Sequence, residues 1–291
     1  MKLKRNLIDL IELFLLPALA AVLPWPFCFR IFKSVAILDC FYRADVRRAL
    51  GQAMSIAKIT DTNAWASAYR LTKLVDHADL YLSLFRTRRW LDRYVTVTGP
   101  GWPKDGAPFL AVTFHWGAGM WSLRHLDTTD RHISGLMKGF DISEFSGRFV
   151  RYCYVKLRSY AISRAGVRNI IFLDKSSYFR LKKAIRPGSC LVALFDVPTM
   201  RQRNIINVQL FGHNIRLPRG LVHLAAKEGV RIITYSVSID RETGFRKINI
   251  SEPIISGQEE ELSEHLVREF KKIVYADSPS WHCWEYIDLF I

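Results

Sequence analysis

The amino-acid sequence predicts an α/β fold, with a mainly parallel central sheet flanked by helices and an N-terminal helical membrane-anchoring segment. Three observations carry this prediction. The stretches 109–114 and 190–195 are short and almost wholly apolar, as strands buried on both faces of a parallel sheet should be. Segments with apolar residues at i, i+3, i+4 and i+7 lie between such stretches, so strands alternate with helices. Ahead of them, residues 13–29 carry no charge and include Pro17, Pro24, Trp25 and Pro26. The expected division is an anchor over 1–33 and a single α/β domain over 34–291, which no repeat, low-complexity tract or obvious linker interrupts.

The elements follow in order. Lys2, Lys4 and Arg5 precede the apolar stretch, and Arg30 and Lys33 follow it. Crossing a bilayer takes roughly twenty apolar residues. This run is marginal, and Asp9 and Glu12 lie just before it. A cleaved leader fits poorly, since the chain stays apolar past Ala18-Leu-Ala20 as far as Phe29. A short span or re-entrant anchor, with aromatics at headgroup level, fits better than a buried helix of a soluble protein. Residues 34–94 read as helical, 94–98 as a strand and 99–106 as a Gly/Pro turn cluster. After strand 109–114 come a helix at 119–126, a strand at 132–137, helices at 142–157 and 179–185, and the strand 190–195. A short strand at 208–211, a helix at 221–228, a strand at 231–239 and an amphipathic helix at 260–274 complete the chain.

Composition narrows the function classes. Apolar residues make up 49% of the 291 and aromatics 13%, enough for a sizeable core. The net charge of +15 calls for an anionic partner. The basic residues cluster locally at Arg86-Thr-Arg-Arg89, Lys182-Lys183 and Arg201-Gln-Arg203, without zinc-finger spacing, a recognition helix or an RNA-binding sheet motif. An anionic membrane therefore stands ahead of nucleic acid as the expected partner. Five cysteines, widely spaced and without a CxxC pair, argue against a disulfide framework or a zinc site and fit a reducing compartment.

The candidate chemistry sits where strands end. Strand 109–114 delivers His115, followed by Trp116-Gly117-Ala118-Gly119-Met120. In open α/β sheets that edge lines the ligand crevice, and a histidine there can take a proton from a hydroxyl. Taken alone, His115 reads as readily as a core or capping histidine. Strand 190–195 ends in Asp196, and a carboxylate beside imidazole orients the ring and stabilises the imidazolium. The alternative for Asp196 is a turn-starting aspartate before Val197-Pro198. A third segment, Phe211-Gly212 with Arg216-Leu-Pro-Arg219-Gly220, places glycine and arginine at a helix start, which suits a phosphate or a plain turn.

The chain resembles the bacterial lipid A biosynthesis (lauroyl/myristoyl) acyltransferases of the lysophospholipid acyltransferase superfamily. The most specific stretch is "LKKAIRPGSCLVALFDVP" with "VQLFGHNIRLPRGLVHLAAKEGVRIITY", and Pro279-Ser-Trp-His-Cys-Trp284 is similar to the family's closing signature. The family motif is histidine, any four residues, then an acid. Here His115 matches the histidine and Met120 occupies the acidic position. Asp196 is the first replacement, since some relatives carry an acid there, and Asp141 and Glu144 come after it. Arg164, then Arg158, are the choices for the family's arginine. The resemblance implies acyl transfer from acyl-carrier protein or acyl-CoA to a hydroxyl of a lipid or glycolipid, with His115 as general base and no cofactor. Backbone N–H groups around Gly117–Gly119, or Arg164, would hold the oxyanion. It also implies the cytoplasmic face of a bacterial inner membrane. The rival is a lipid-binding or scaffold member of the same fold that has lost the chemistry, and Met120 favours it.

Overall fold

The computed structural model describes residues 2–174, 176–198 and 205–291. The basic cluster Arg201-Gln-Arg203 lies outside them. Six α-helices precede the first strand among the described residues: α1 (Lys2–Leu10), α2 (Leu16–Val22), α3 (Trp25–Ile37), α4 (Arg43–Ile56), α5 (Thr62–Phe85) and α6 (Arg88–Tyr94). A π-helical turn, Ile11–Leu15, joins α1 to α2. Then follow β1 (Val95–Thr98), β2 (Phe109–Thr113), α7 (Met120–Asp127), β3 (His132–Met137), α8 (Phe149–Arg164), β4 (Val167–Phe172), α9 (Ser177–Ala184) and β5 (Ser189–Leu194). The chain continues through β6 (Ile205–Leu210), β7 (His213–Pro218), α10 (Gly220–Glu228), β8 (Arg231–Ile239), β9 (Arg246–Ile250) and α11 (Glu259–Ala276), and closes with 3-10 turns at Ser278–Ser280 and His282–Leu289.

The main sheet has seven strands in the order β1-β9-β8-β2-β5-β3-β4. The run β8-β2-β5-β3-β4 is parallel throughout, β9 is antiparallel to β8, and β1 runs parallel to β9. This is the mainly parallel, helix-flanked α/β sheet that the alternation of elements predicts. β2 and β5 lie side by side in its interior, which accounts for their unbroken apolar character. Their register pairs Thr113 with Leu194, so the residues just past them, His115 and Asp196, fall at the same level on the carboxyl edge. Helix α5 forms the hub of the helical layer, packing against α2, α3, α4, α7 and α8.

Three strands escape the sequence pattern. β4, β7 and β9 are short and mix charged with apolar residues; Asn214–Leu217 and Lys247–Ile250 do alternate, but over only four residues each. The helix expected over 142–157 is instead a 3-10 turn at Ile142–Phe145 followed by α8, with Ser146 and Gly147 breaking the two at φ of 50° and 81°. The strand expected at 208–211 is one arm of the β6–β7 hairpin. Phe211 (φ 50°) and Gly212 (φ 81°) form its two-residue turn, the left-handed pair that suits a type I′ hairpin.

The N-terminal segment is turned inside out. Asp9 and Glu12 are buried, with Asp9 held by Arg148 (2.9 Å) and Arg151 (3.4 Å), and Glu12 accepting the Tyr42 N–H. Leu3, Leu7, Ile8, Ile11 and Leu15 are exposed on the opposite side, Leu3 by 84%. Burial raises the Glu12 carboxyl to about 7. No described helix is long and apolar enough to cross a membrane. The expected boundary between 33 and 34 falls inside α3, whose Trp25, Cys28, Phe29 and Phe32 are core residues, so the first helices are built into the domain.

One charge is carried deep into that core. The Arg246 guanidinium lies 3.9 Å from the Trp25 ring and 5.2 Å from Trp90, and it pairs with Asp79. Both members of the ion pair are fully buried. Burial outweighs the arginine and raises Asp79 to about 6.

Candidate active site

His115 and Asp196 meet. The Asp196 carboxylate accepts the His115 backbone N–H through both oxygens, at 2.8 and 2.9 Å. His115 Nδ1 lies 3.1 Å from Asp196 Oδ1 and 3.0 Å from the Asp196 backbone oxygen. Two acceptors at one ring nitrogen fix the tautomer: Nδ1 carries the proton and Nε2 is left as the basic nitrogen. Asp196 has no exposed surface, whereas the His115 side chain keeps 37% of its own. A positioned base with an open face and a buried orienting carboxylate is the arrangement that proton abstraction needs.

The carboxylate beside His115 thus comes from the end of the neighbouring strand, as expected for Asp196, and not from position 120. Met120 starts α7 and is buried as an apolar residue. Asp141 and Glu144 are spent elsewhere, in a reciprocal cap of the Ile142–Phe145 turn.

The chain's last described segment straps the dyad in place. Trp281 Nε1 donates to Asp196 Oδ2 at 2.7 Å, and the His282 N–H donates to the His115 carbonyl at 2.8 Å. The His282 ring bonds the Gly117 carbonyl at 2.7 Å, and Trp116 and Trp281 form an isolated antiparallel bridge. Sequence reasoning treated Pro279–Trp284 only as part of a resemblance. The signal it contained was a run of hydrogen-bonding aromatics, Trp-His-Cys-Trp, on a short turn.

Cys283 brings a sulfur to the same place. The Cys283 Sγ, an Asp196 oxygen and a His115 nitrogen all lie within 4.8 Å of one another, a cluster of metal-ligand type. Its chemistry fits a hydrogen-bonded cluster better than a metal site. Burial pushes the thiol up to about 11, and the carboxylate already accepts three N–H donors. Burial works against charge on His115 as well, but the Cys283 sulfur and the Asp196 carboxylate outweigh it and hold the ring well above 6.5. With the thiol neutral at pH 7, the carboxylate is the lasting cause.

Gly117 is required by close packing. Its φ is +58°, and a Cβ there would stand 1.9 Å from the Val237 carbonyl oxygen. Its N–H donates to Ser280 O at 3.0 Å and that of Ala118 to Val237 O at 3.3 Å. The expected oxyanion donors at 117 and 118 are therefore already engaged. The first turn of α7, immediately after Gly119, has no side-chain cap, so its N–H groups have no partner within the helix.

The remaining predicted site residues lie elsewhere. Arg164 is exposed at the carboxyl end of α8, just before β4, on the sheet edge opposite His115. A helix returning between parallel strands must end at their amino edge, which removes Arg164 from the dyad. Arg158 is one layer behind, with both terminal nitrogens on Asp76 at 2.9 and 3.0 Å. Burial opposes charge on Asp76, yet the Arg158 guanidinium holds it down to about 2. Phe211 packs edge-on to Tyr275 and beside Trp284, and Gly212 is the hairpin turn, with open space where a Cβ would go. Arg216 bonds Ile291 O through its side chain, and Arg219 pairs with Glu259 and Glu260 at 2.6 Å each. Gly220, the first residue of α10, likewise faces open space. The 211–220 segment therefore forms a hairpin and helix start whose arginines are paired within the chain.

No protein-family model matches the chain, and no curated protein matches it either.

Proposed function

We propose that the protein is a membrane-associated acyltransferase, moving a fatty acyl group from acyl-carrier protein or acyl-CoA to a hydroxyl of a lipid or glycolipid. One observation carries this reading: Asp196 holds His115 through Nδ1 at the carboxyl edge of a parallel sheet, and the His115 side chain stays 37% exposed. The resemblance to the lipid A biosynthesis acyltransferases supports it, and so does the apolar outer face of the first helices. In this mechanism Nε2 takes the proton of the acceptor hydroxyl as its oxygen attacks the thioester carbonyl. The oxyanion collapses, the C–S bond breaks, and the imidazolium returns the proton to the leaving thiolate. A positioned base of this kind supplies on the order of 10²–10⁴-fold. The N–H groups at the start of α7 are the oxyanion donors, and Asp196 stabilises the imidazolium between the two proton transfers.

The pH dependence follows from the ring. A base must be neutral, and His115 is held above 6.5, so activity rises with pH until that displaced value is passed. The inside-out helix fits lipid on its exposed face, and we place the protein at the cytoplasmic face of a bacterial inner membrane, lying on the bilayer.

A second reading, a non-catalytic lipid-binding member of the same fold, is favoured by the engaged Gly117 and Ala118 N–H groups. Lipid profiling of a host expressing wild type or His115→Ala separates the two. Loss of an acylated species with the variant supports the enzyme, and identical profiles from two folded proteins refute it.

A further inference from the structure

The basic run Arg86–Arg93 plays no part in the acyl-transfer site. It walls a cavity of about 480 Å³ between the end of α2, the start of α3 and α6, lined among others by Trp25, Arg86, Arg89, Trp90 and Arg93. No carboxylate lines this cavity. The adjoining one, about 330 Å³, shares Arg86 and Thr87 but includes Asp127 and Asp130 in its wall. Among the described residues, neither Arg89 nor Arg93 has a carboxylate partner, and both are exposed. Arg86 caps the Ala20 and Leu23 carbonyls, while its buried Nε has no partner. The floor is rigid, because Trp25 and Trp90 clasp the Arg246 guanidinium and Trp25 Nε1 donates to Gly244 O at 3.1 Å.

The rim of the cavity is apolar and open. Val22 is 75% exposed and Phe85 66%. They continue the exposed apolar side of the first helices. Exposed apolar groups beside guanidiniums that have no carboxylate partner, with Arg93 lying over the Tyr94 ring, match the boundary between lipid tails and phosphates. Arginine presents a planar fork that fits phosphate oxygens two at a time.

We propose that this cavity binds the phosphate headgroup of an anionic membrane lipid, with Arg89 and Arg93 on the phosphate, Arg86 behind them, and Val22 and Phe85 among the acyl chains. The proposal rests on the membrane-surface reading above but not on acyl transfer. It makes the cavity a docking point separate from His115, one that sets the orientation of the protein on the bilayer.

The test is vesicle co-sedimentation of the full chain. Vesicles of phosphatidylcholine alone are compared with vesicles containing one-fifth phosphatidic acid. Each cation near an anionic surface strengthens binding about five-fold, so Arg89→Ala/Arg93→Ala should lose about 30-fold on the acidic vesicles. The same variant should bind neutral vesicles as wild type does. Lys182→Ala/Lys183→Ala removes equal charge from α9 and should lose much less. Equal losses from the two double variants would overturn the site, since bulk charge would then explain the binding. Wild-type binding to neither vesicle would overturn the membrane reading together with the site. Unimpaired acidic-vesicle binding by the arginine variant would overturn the site alone. Inorganic phosphate distinguishes the source: a thermal shift with millimolar phosphate that needs Arg89 and Arg93, without their effect on vesicles, would assign the cavity to a soluble phosphate instead.

Discussion

Replacing Asp196 with asparagine tests the dyad without emptying the space. The amide offers one acceptor oxygen where the carboxylate has two, and its NH2 must face at least one of the donors His115 N, His115 Nδ1 or Trp281 Nε1. The charge effect is worked from the 3.1 Å separation. Two unit charges that far apart attract by about 1.3 kcal/mol in water and about 5 kcal/mol at a protein-surface dielectric. His115 is 37% exposed, so solvent screens the pair towards the lower figure. Loss of the carboxylate should therefore lower the His115 pKa. Burial then dominates, and the ring should titrate below 6.5 rather than well above it. The assay is an NMR titration of the ring with labelled histidine in wild type and Asp196→Asn. Stability should follow: a raised histidine contributes fully below its unfolded value near 6.5, and that contribution fades as pH rises through the folded value. Urea midpoints of the wild type should accordingly fall from pH 6.5 upwards, and the variant should lack this slope. An unchanged His115 titration in a folded variant would refute the argument that the carboxylate holds the ring.

Four further outcomes are expected. Trp281→Phe removes a 2.7 Å bond to the buried carboxylate and should cost about 1.5–3 kcal/mol in urea denaturation with an unchanged slope; a cost near zero would remove the strap from the dyad's support. Gly117→Ala meets the Val237 carbonyl and an unfavourable φ, so it should cost more than the roughly 1–3 kcal/mol of a strained backbone and abolish lipid modification in the host; a stable, active variant would contradict the close approach. Arg246→Leu strands a buried carboxylate and should cost about 3–5 kcal/mol, with Asp79→Leu added to it recovering most of the loss. Asp79 rises from 3.8 to about 6 in the folded protein, so its contribution to stability grows as pH falls from 6 to 3.8. Asp79→Asn should flatten that part of the stability–pH curve, and an unaltered curve would refute the raised value.

How much of this was legible in sequence depended on whether one stretch held the whole signal. His115 and Asp196 were readable because each follows a nearly pure apolar run, and neighbouring parallel strands bring their ends together. β4 and β9 were not: β4 is an edge strand that tolerates Arg168 and Asn169, and β9 carries Arg246, whose buried partner Asp79 lies far along the chain. Gly117 read as a backbone oxyanion donor, and only the Val237 carbonyl, far along the chain, shows that protein packs there. Arg164 was misplaced because its distance from the site depends on the direction of α8, which composition does not encode. Asp9 and Glu12 read as interruptions of an anchor. Their partners Arg148 and Tyr42 are long-range, so the inversion of that helix was invisible in its own residues.

The strap has a consequence in time. Residues 280–283 are synthesised long after the sheet edge they touch, and four hydrogen bonds made by them close around His115, Gly117 and Asp196. While the ribosome is still making α11, the sheet edge can form, but its carboxylate lacks the Trp281 donor and Gly117 lacks the Ser280 acceptor. The hydrogen bonds that hold His115 and Asp196 are thus completed last, in the order the residues are made.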